Sequence, residues 1–410
     1  MQTKNKNASL LFIFFTVLVD MIGIGIIIPV IPSLIQNLDG GSLSHASEIG
    51  GWLMFSFAFM QFFCAPIMGQ LSDRFGRKPI LIIALFGLGL DYLFHAFAPT
   101  IFWLFVGRVI AGFFGASFTV ANAYIADIST PENKAKNFGM VGAAFGLGFI
   151  IGPVIGGIAT EYGGVKMPFF VAAGFSLANM LYGIIVVPES LSKENRREFD
   201  IKRANPIGSL LRLKRFPMMG GMVVAFFLIY MAGKSVETTW AYYTMLRFDW
   251  TVAQVGYSLA FVGVLVAIVQ GGLVGIISKK IGTYKTVIYG FLFWTTGLVL
   301  FAFATSGWQM YAFCLVYCLG GIAGPTMQSI MSNQVPANEQ GELQGALTSL
   351  MSVTAIIGPP LMTGVFAAFT KDSVPFEFPG AAFALGALLA CAGLVFAYRA
   401  LKRISIASKS

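Results

Sequence analysis

Twelve apolar stretches, each near or above the ~19 residues that a ~30 Å hydrocarbon layer demands, follow one another along the 410 residues. They run approximately over 9–36, 48–70, 79–98, 101–127, 137–160, 167–187, 217–245, 251–277, 284–304, 307–331, 341–369 and 380–401. Lipid offers no hydrogen bonds, so each such stretch must satisfy its backbone within itself, as a helix does. Only 11% of residues are charged, against roughly 25% in soluble chains. An ordinary soluble enzyme, a disordered chain and a secreted disulfide scaffold are thereby excluded, and the expected fold class is an all-α polytopic membrane protein. The first stretch is too long for a cleavable signal, carries Asp20 and lacks a small-residue cleavage site. Cys64, Cys314, Cys318 and Cys391 all fall inside apolar stretches, where a thiolate is costly. They read as small core residues, with no metal or redox site expected.

Lys and Arg concentrate in alternate gaps: around Arg74, Arg77 and Lys78, at Lys134 and Lys136, from Lys193 to Arg215, at Lys279, Lys280 and Lys285, and in both tails. Cytoplasmic loops retain basic residues, so both termini and the long polar stretch 188–216 are expected in the cytoplasm. The net charge of +9 is thus explained by topology and does not point to nucleic acid. The two halves also echo each other. The Gly69–Gly76 segment after the second stretch aligns with Gly275–Gly282 after the eighth, and Gly152-Pro153 aligns with Gly358-Pro359; 275 − 69 and 358 − 152 both equal 206. A duplicated six-helix unit is expected, with bundles at 1–187 and 217–410 joined by the linker 188–216. Parallel repeats of this kind place a site at the midplane of secondary transporters.

Away from the ends of the apolar stretches stand five charged residues: Asp20, Asp91, Arg108, Lys234 and Glu237. Each costs on the order of 2.5–3.5 kcal/mol near the bilayer centre unless paired or hydrated. At ~1.5 Å per residue, Asp20, Asp91 and Arg108 reach similar depths. Two readings stand: a carboxylate alternating between water, proton and Arg108, or a permanent structural ion pair. Lys234 and Glu237 lie three apart on one helix face, in reach of each other or of a charged cargo; helix geometry from Pro217 puts Lys234 toward the outer surface. His95, four residues after Asp91, reads as an interfacial polar tip or a proton shuttle. Asn122, Tyr124, Asn179, Gln270, Gln328 and Asn333 supply neutral polar groups, some of which are expected to line a cavity.

Two segments carry recognisable patterns. GQLSDRFGRK (Gly69 to Lys78) resembles the loop signature of the major facilitator superfamily. Gly69 is expected to allow close helix approach, Asp73 to charge a helix end beside Arg74, Gly76 to make the tight turn, and Arg77 with Lys78 to hold the loop inside. The resemblance implies a latch at the cytoplasmic rim. GLGFIIGPVIGG (Gly146 to Gly157) resembles the motif of the family's antiporter branch. Glycines at 148, 152 and 156 open one face for packing and Pro153 permits bending, which fits either a static groove or a leak-limiting hinge.

More finely, the chain is similar to the twelve-helix tetracycline–proton antiporters. The similarity is carried by Asp20 to Gly25 with Pro29 and Pro32, Met60 to Pro79, Leu90 to Tyr92, Gly107 to Gly112, Phe145 to Gly157, and Pro188 to Ser190. It implies a major facilitator fold, two six-helix bundles related by a pseudo-two-fold, with Asp20, Asp91 and Arg108 serving proton-driven transport. In the second half the family's histidine of span 8 and aspartate of span 9 fall near Val266 and Trp294. The expected cargo is therefore a drug-like or amphiphilic small molecule, exported from the cytoplasm across a bacterial inner membrane in exchange for protons by a monomer in the bilayer, with no cofactor or metal. The alternatives are proton-coupled uptake and a membrane receptor or enzyme. With His45 and His95 the sole histidines and no G-x-S-x-G, no nucleophile–base constellation supports an enzyme.

Overall fold

The computed structural model describes residues 2–115, 117–130, 133–199, 207–208, 219–336, 339–371 and 373–407, without the side chains of 2–8, 134–136, 341–342 and 405–407. Much of the basic linker, 200–206 and 209–216, therefore lies outside the described residues, as do the side chains of Lys4, Lys6, Lys134, Lys136 and Lys409.

Every expected apolar stretch is a helix. The spans are α1 (Ser9–Asp39), α2 (Leu43–Phe75), α3 (Arg77–Phe97), α4 (Ile101–Ile128), α5 (Asn137–Gly163), α6 (Met167–Val186), α7 (Gly220–Phe248), α8 (Val252–Ile281), α9 (Thr283–Ala302), α10 (Gly307–Ser332), α11 (Leu343–Ala368) and α12 (Ala381–Ile404). The chain is thus a multi-pass membrane protein. One correction concerns the expected loop at Gly69: α2 runs on through Phe75, and the chain turns only at Gly76. Polar residues end a membrane crossing without ending a helix. Another concerns cysteine: Cys64, Cys314 and Cys318 are buried, whereas Cys391 is exposed on α12.

Helix pairing repeats. In the first half α1 packs on α5 and α6, and α3 on α4 and α6; in the second, α7 packs on α11 and α12, and α9 on α10 and α12. Helix breaks repeat as well. α4 is interrupted at Gly115, between helical segments Ile101–Phe114 and Ser117–Ile128. Adding the sequence offset, 115 + 206 = 321, reaches the short 3-10 turn Gly320–Ile322 inside α10. In α4 the carbonyl freed at Gly115 accepts from Gln61 Nε2 at 2.8 Å, which meets the requirement that no backbone group face hydrocarbon unpaired.

The chain divides into two compact units, 1–41 with 56–205 and 251–263, and 42–55 with 206–250 and 264–410. Their main division, at 205/206, falls inside the expected linker. In the first unit Phe12, Val17, Leu81, Leu85, Val120 and Tyr124 centre the core; in the second Phe226, Ile229, Phe291, Met327 and Leu347 do. Each unit takes in one short stretch of the other half's sequence. Within the second, Ser44 Oγ donates to Thr370 O at 2.8 Å and Lys371 Nζ meets Glu48 at 2.7 Å.

The most extensive seam is α1 on α5. A Cβ at Gly148 would stand 2.7 Å from Leu18 O, one at Gly152 2.6 Å from Ile22 O, and one at Gly156 2.7 Å from Ile26 O. These neighbours are backbone and do not yield, so the four-residue glycine period is a packing requirement. Gly152→Val should cost about 1–3 kcal/mol by overpacking and lower the melting temperature of the detergent-purified protein. Gly146→Ala, where an added Cβ meets nothing within 4 Å, should leave it unchanged, as fluorescence-detected gel filtration after heating would show.

Candidate functional site

The first unit gathers its intramembrane charges. Asp91 is fully buried, and its Oδ2 receives Arg108 Nη2 at 2.7 Å. His95, four residues on, lies one helical turn away and is equally buried. Arg108 Nε donates to His95 Nε2 at 3.0 Å, which leaves the ring proton on Nδ1, 2.9 Å from Asp91 O. That nitrogen is also 3.1 Å from Asp91 Oδ1, yet Oδ1 counts no hydrogen bond, because the single proton is taken by the backbone carbonyl. The imidazole stacks on Phe169 at 5.5 Å and the guanidinium lies over Phe57 at 5.7 Å. Gly107 makes room for this: a Cβ there would be 2.6 Å from His95 Cε1 and 2.8 Å from Asp91 Oδ1. The expectation of His95 as an interfacial tip is thus corrected. The i to i+4 spacing from Asp91 was the available signal.

Asp20 differs. It is 7% exposed, and its Oδ2 accepts from Ser117 Oγ while Oδ1 has no partner among the described residues. Ser117 belongs to the second segment of α4, which thereby presents a hydroxyl to the carboxylate. Tyr92, from α3, comes against α1 at Gly23, where a Cβ would collide with its hydroxyl. A buried carboxylate with a hydroxyl, but no cation among its described partners, thus shares the unit with an acid held in an ion pair. Ser117 escapes sequence reading because nothing in GASFTV marks where α4 breaks.

At the α2–α3 turn, Gly76 has φ 107° and abuts the Glu189 carboxylate, so both conformation and space demand glycine. Glu189 Oε1 accepts Arg77 N at 2.8 Å and Oε2 accepts Lys78 N at 3.2 Å, capping α3 from the far end of the first six helices. Arg77 is buried. It binds Asp127 at 3.0 Å, Ser72 Oγ at 2.7 Å and Asp73. Arg74 stays exposed beside Phe75. Gly69 does not serve close approach: a Cβ would meet only Thr119 Cγ2 at 3.7 Å, an ordinary contact. Glu189 was visible only as part of the Pro188–Ser190 triplet, 112 residues from its partner.

The second unit pairs Lys234 Nζ with Glu237 Oε2 at 2.6 Å, their side chains 14% and 44% exposed. Lys234 lies fourteen residues from either end of the Gly220–Phe248 helix, since 234 − 220 and 248 − 234 agree. Lys234 is thus central in the helix, which runs three residues beyond the apolar window to Phe248. The Lys234 stem packs on Gly358 of α11, and Trp294 of α9 lies edge-on to Tyr317 of α10 at 5.6 Å.

The neutral candidates scatter. Tyr124 is buried, donating to Pro188 O at 2.7 Å, and Asn179 Nδ2 donates to Thr16 Oγ1 at 3.0 Å within the first unit. Asn122 and Gln328 are half-buried, and Gln270 is exposed on the π-helical turn Val269–Leu273. Asn333 is exposed just past the end of α10, so it is corrected from an intramembrane group to a helix terminus.

The family model described as Major Facilitator Superfamily matches residues 13–359 and 227–406. The tetracycline resistance protein, class C, of Escherichia coli is 36% identical over 389 residues, covering 94% of this chain and 95% of that protein. Multidrug resistance protein 2 of Bacillus subtilis (strain 168) is 28% identical over 392 residues, 93% and 94% of the two chains. A solved bacterial homologue of the human lysosomal transporter Spinster, inward-facing and unoccupied, shares the fold with TM-score 0.75 at 14% identity, over 99% of this chain and 97% of that one.

Gly107→Ala should push His95 and Asp91 apart and loosen their hold on Arg108. We expect a lower melting temperature than for Gly174→Ala, where an added Cβ has nothing within 4 Å, measured side by side in detergent.

Proposed function

The chain belongs to the Major Facilitator Superfamily, and from that premise we propose that it is a proton-coupled antiporter exporting a drug-like or amphiphilic small molecule by alternating access. The observation that carries the reading is the buried group of Asp20 with Ser117 beside Asp91, Arg108 and His95. The relatives named for tetracycline and multidrug resistance support export of drug-like cargo.

The two acids divide the work. Asp91 is held by Arg108, and losing either partner strands a buried charge, at a cost of about 3–5 kcal/mol. Asp20 has no such cation, so it is the carboxylate that exchanges a proton as water reaches it from alternate sides, while the Asp91–Arg108–His95 triad fixes the field around it. Two bundles, 1–187 and 217–410, rock about the site, joined by the linker 188–216, with both termini cytoplasmic in a bacterial inner membrane. The Asp73–Arg77–Asp127 knot and the bending α5 at Gly152-Pro153 act as conformational parts. The protein works as a monomer on small molecule and proton, without a bound cofactor. Lys234 and Glu237, exposed enough to meet a solute, read charge on the cargo.

In proteoliposomes with an imposed pH gradient, Asp20→Asn should abolish gradient-driven export at normal folding yield, since the amide keeps volume but cannot carry the proton. Wild-type uphill transport by this variant would refute the assignment. Asp91→Asn should instead reduce folded yield, with recovery in the Asp91→Asn, Arg108→Gln double variant.

A panel of matched cationic, zwitterionic and anionic compounds tests the second pair. Lys234→Gln and Glu237→Gln should shift preference among them in opposite directions. Equal loss for every compound in the singles, with recovery in the double, would assign the pair to structure.

A further inference from the structure

We propose that the ends of α9 and α12 next to the 278–282 turn form a binding site for an anionic phospholipid, seating its phosphate headgroup between Lys285 and Lys402. A groove of about 470 Å³ is lined there by Tyr284, Lys285, Ile288 and Tyr289 from α9 and Tyr398, Leu401 and Lys402 from α12. The spacing explains it. Residues 284, 285, 288 and 289 share one face of α9, and 398, 401 and 402 share one face of α12, so packing these two helices brings both lysines to one cleft.

The lining has the layered chemistry of a lipid. Lys285 and Lys402 have no ion-pair partner among the described residues, and neither the lining nor the helical stretches 274–302 and 381–407 contain an acid. Lys279 and Lys280, in the last turn of α8, add positive charge just before α9. A soluble anion would need only this rim. Below it, however, Tyr289 and Tyr398 stay 47% and 59% exposed, as interfacial aromatics do. Leu401 is buried as the floor, packed in the same core that Tyr284 and Ile288 touch. Deeper on the same helices Leu292 and Val395 remain 44% and 45% exposed, an apolar track for acyl chains. Basic pockets between spans on the cytoplasmic side recognise acidic headgroups in this way. Only the leaflet, the inner one, rests on the proposed topology; binding itself does not depend on cargo or coupling ion.

The test is native mass spectrometry of the delipidated full-length protein titrated with phosphatidylglycerol or phosphatidylcholine. Wild type should prefer phosphatidylglycerol, and Lys285→Gln, Lys402→Gln should weaken that binding about tenfold or more, at roughly a kcal/mol per basic residue. The Lys285→Arg, Lys402→Arg variant should retain it. Arg399→Gln, Arg403→Gln, which removes equal charge outside the groove, should change it less than threefold, well under the effect of roughly two groove contacts. Equal binding of the two lipids, or equal loss in the two charge-removing variants, would overturn the site. So would full competition by millimolar inorganic phosphate, since that would make it a soluble-anion site.

Discussion

The constraint on which the first unit depends is the cost of a charge in hydrocarbon, on the order of 2.5–3.5 kcal/mol by insertion scales. Five charged residues were placed there, and the surrounding structure can be read as a response to them. Asp91 and Arg108 cancel each other, which requires α3 and α4 to approach closely. That approach leaves no room for a side chain at position 107, hence glycine. The imidazole of His95 closes the remaining side of the guanidinium and is itself held flat by Phe169. Asp20 alone receives no cation. The second segment of α4 turns a serine hydroxyl toward it instead.

Duplication then sets what the second unit can be. The contact that Gly152 makes on α1 at Ile22 and Gly25 is made again by Gly358, on α7 at Lys234. The same seam between equivalent helices therefore borders an acid in one copy and an ion pair in the other. α4 and α10 share their interruption at the common offset, yet only the first presents it to a buried carboxylate. On the proposed function, the duplicated scaffold has kept its packing and separated its polar contents, protons in one bundle and cargo charge in the other.

What could be read from the sequence was whatever acts locally or repeats. Hydropathy located all twelve spans, because a membrane thickness imposes a minimum apolar length on every helix that crosses it. The offset of 206 located the duplicated unit, and the mutual reach of Lys234 and Glu237 followed from helix geometry. What escaped depends on non-local closure. Glu189 caps a helix that starts 112 positions earlier, and no periodicity links them. Ser117 acquires its role from a break that only tertiary packing reveals. Gly69 was credited with a close approach that its surroundings do not make, since a glycine in a motif does not say which of its properties is used.

The glycine seam also ties the Asp20 carboxylate to the bending helix. Leu18 and Met21, which flank Asp20 on the chain, lie against Gly148, and Ile22 lies against Gly152. No side chain separates α1 from α5 there, so α1 has little freedom to slide independently of α5. Ser117 belongs to α4, which meets Asp20 through a single hydroxyl. A bend of α5 at Pro153 would therefore carry Asp20 with it, and the Ser117–Asp20 hydrogen bond, the weaker of the two attachments, is the one that opens. Once open, Asp20 has neither hydroxyl nor cation, and the charge is tolerable only in water or with a proton. On the proposed function, protonation and helix position are thereby linked through contacts present in one unit, and each biases the other by the difference in free energy between the two arrangements. A proton-driven carrier requires such a link, and on that reading the packing of glycine on backbone would supply it without a dedicated lever.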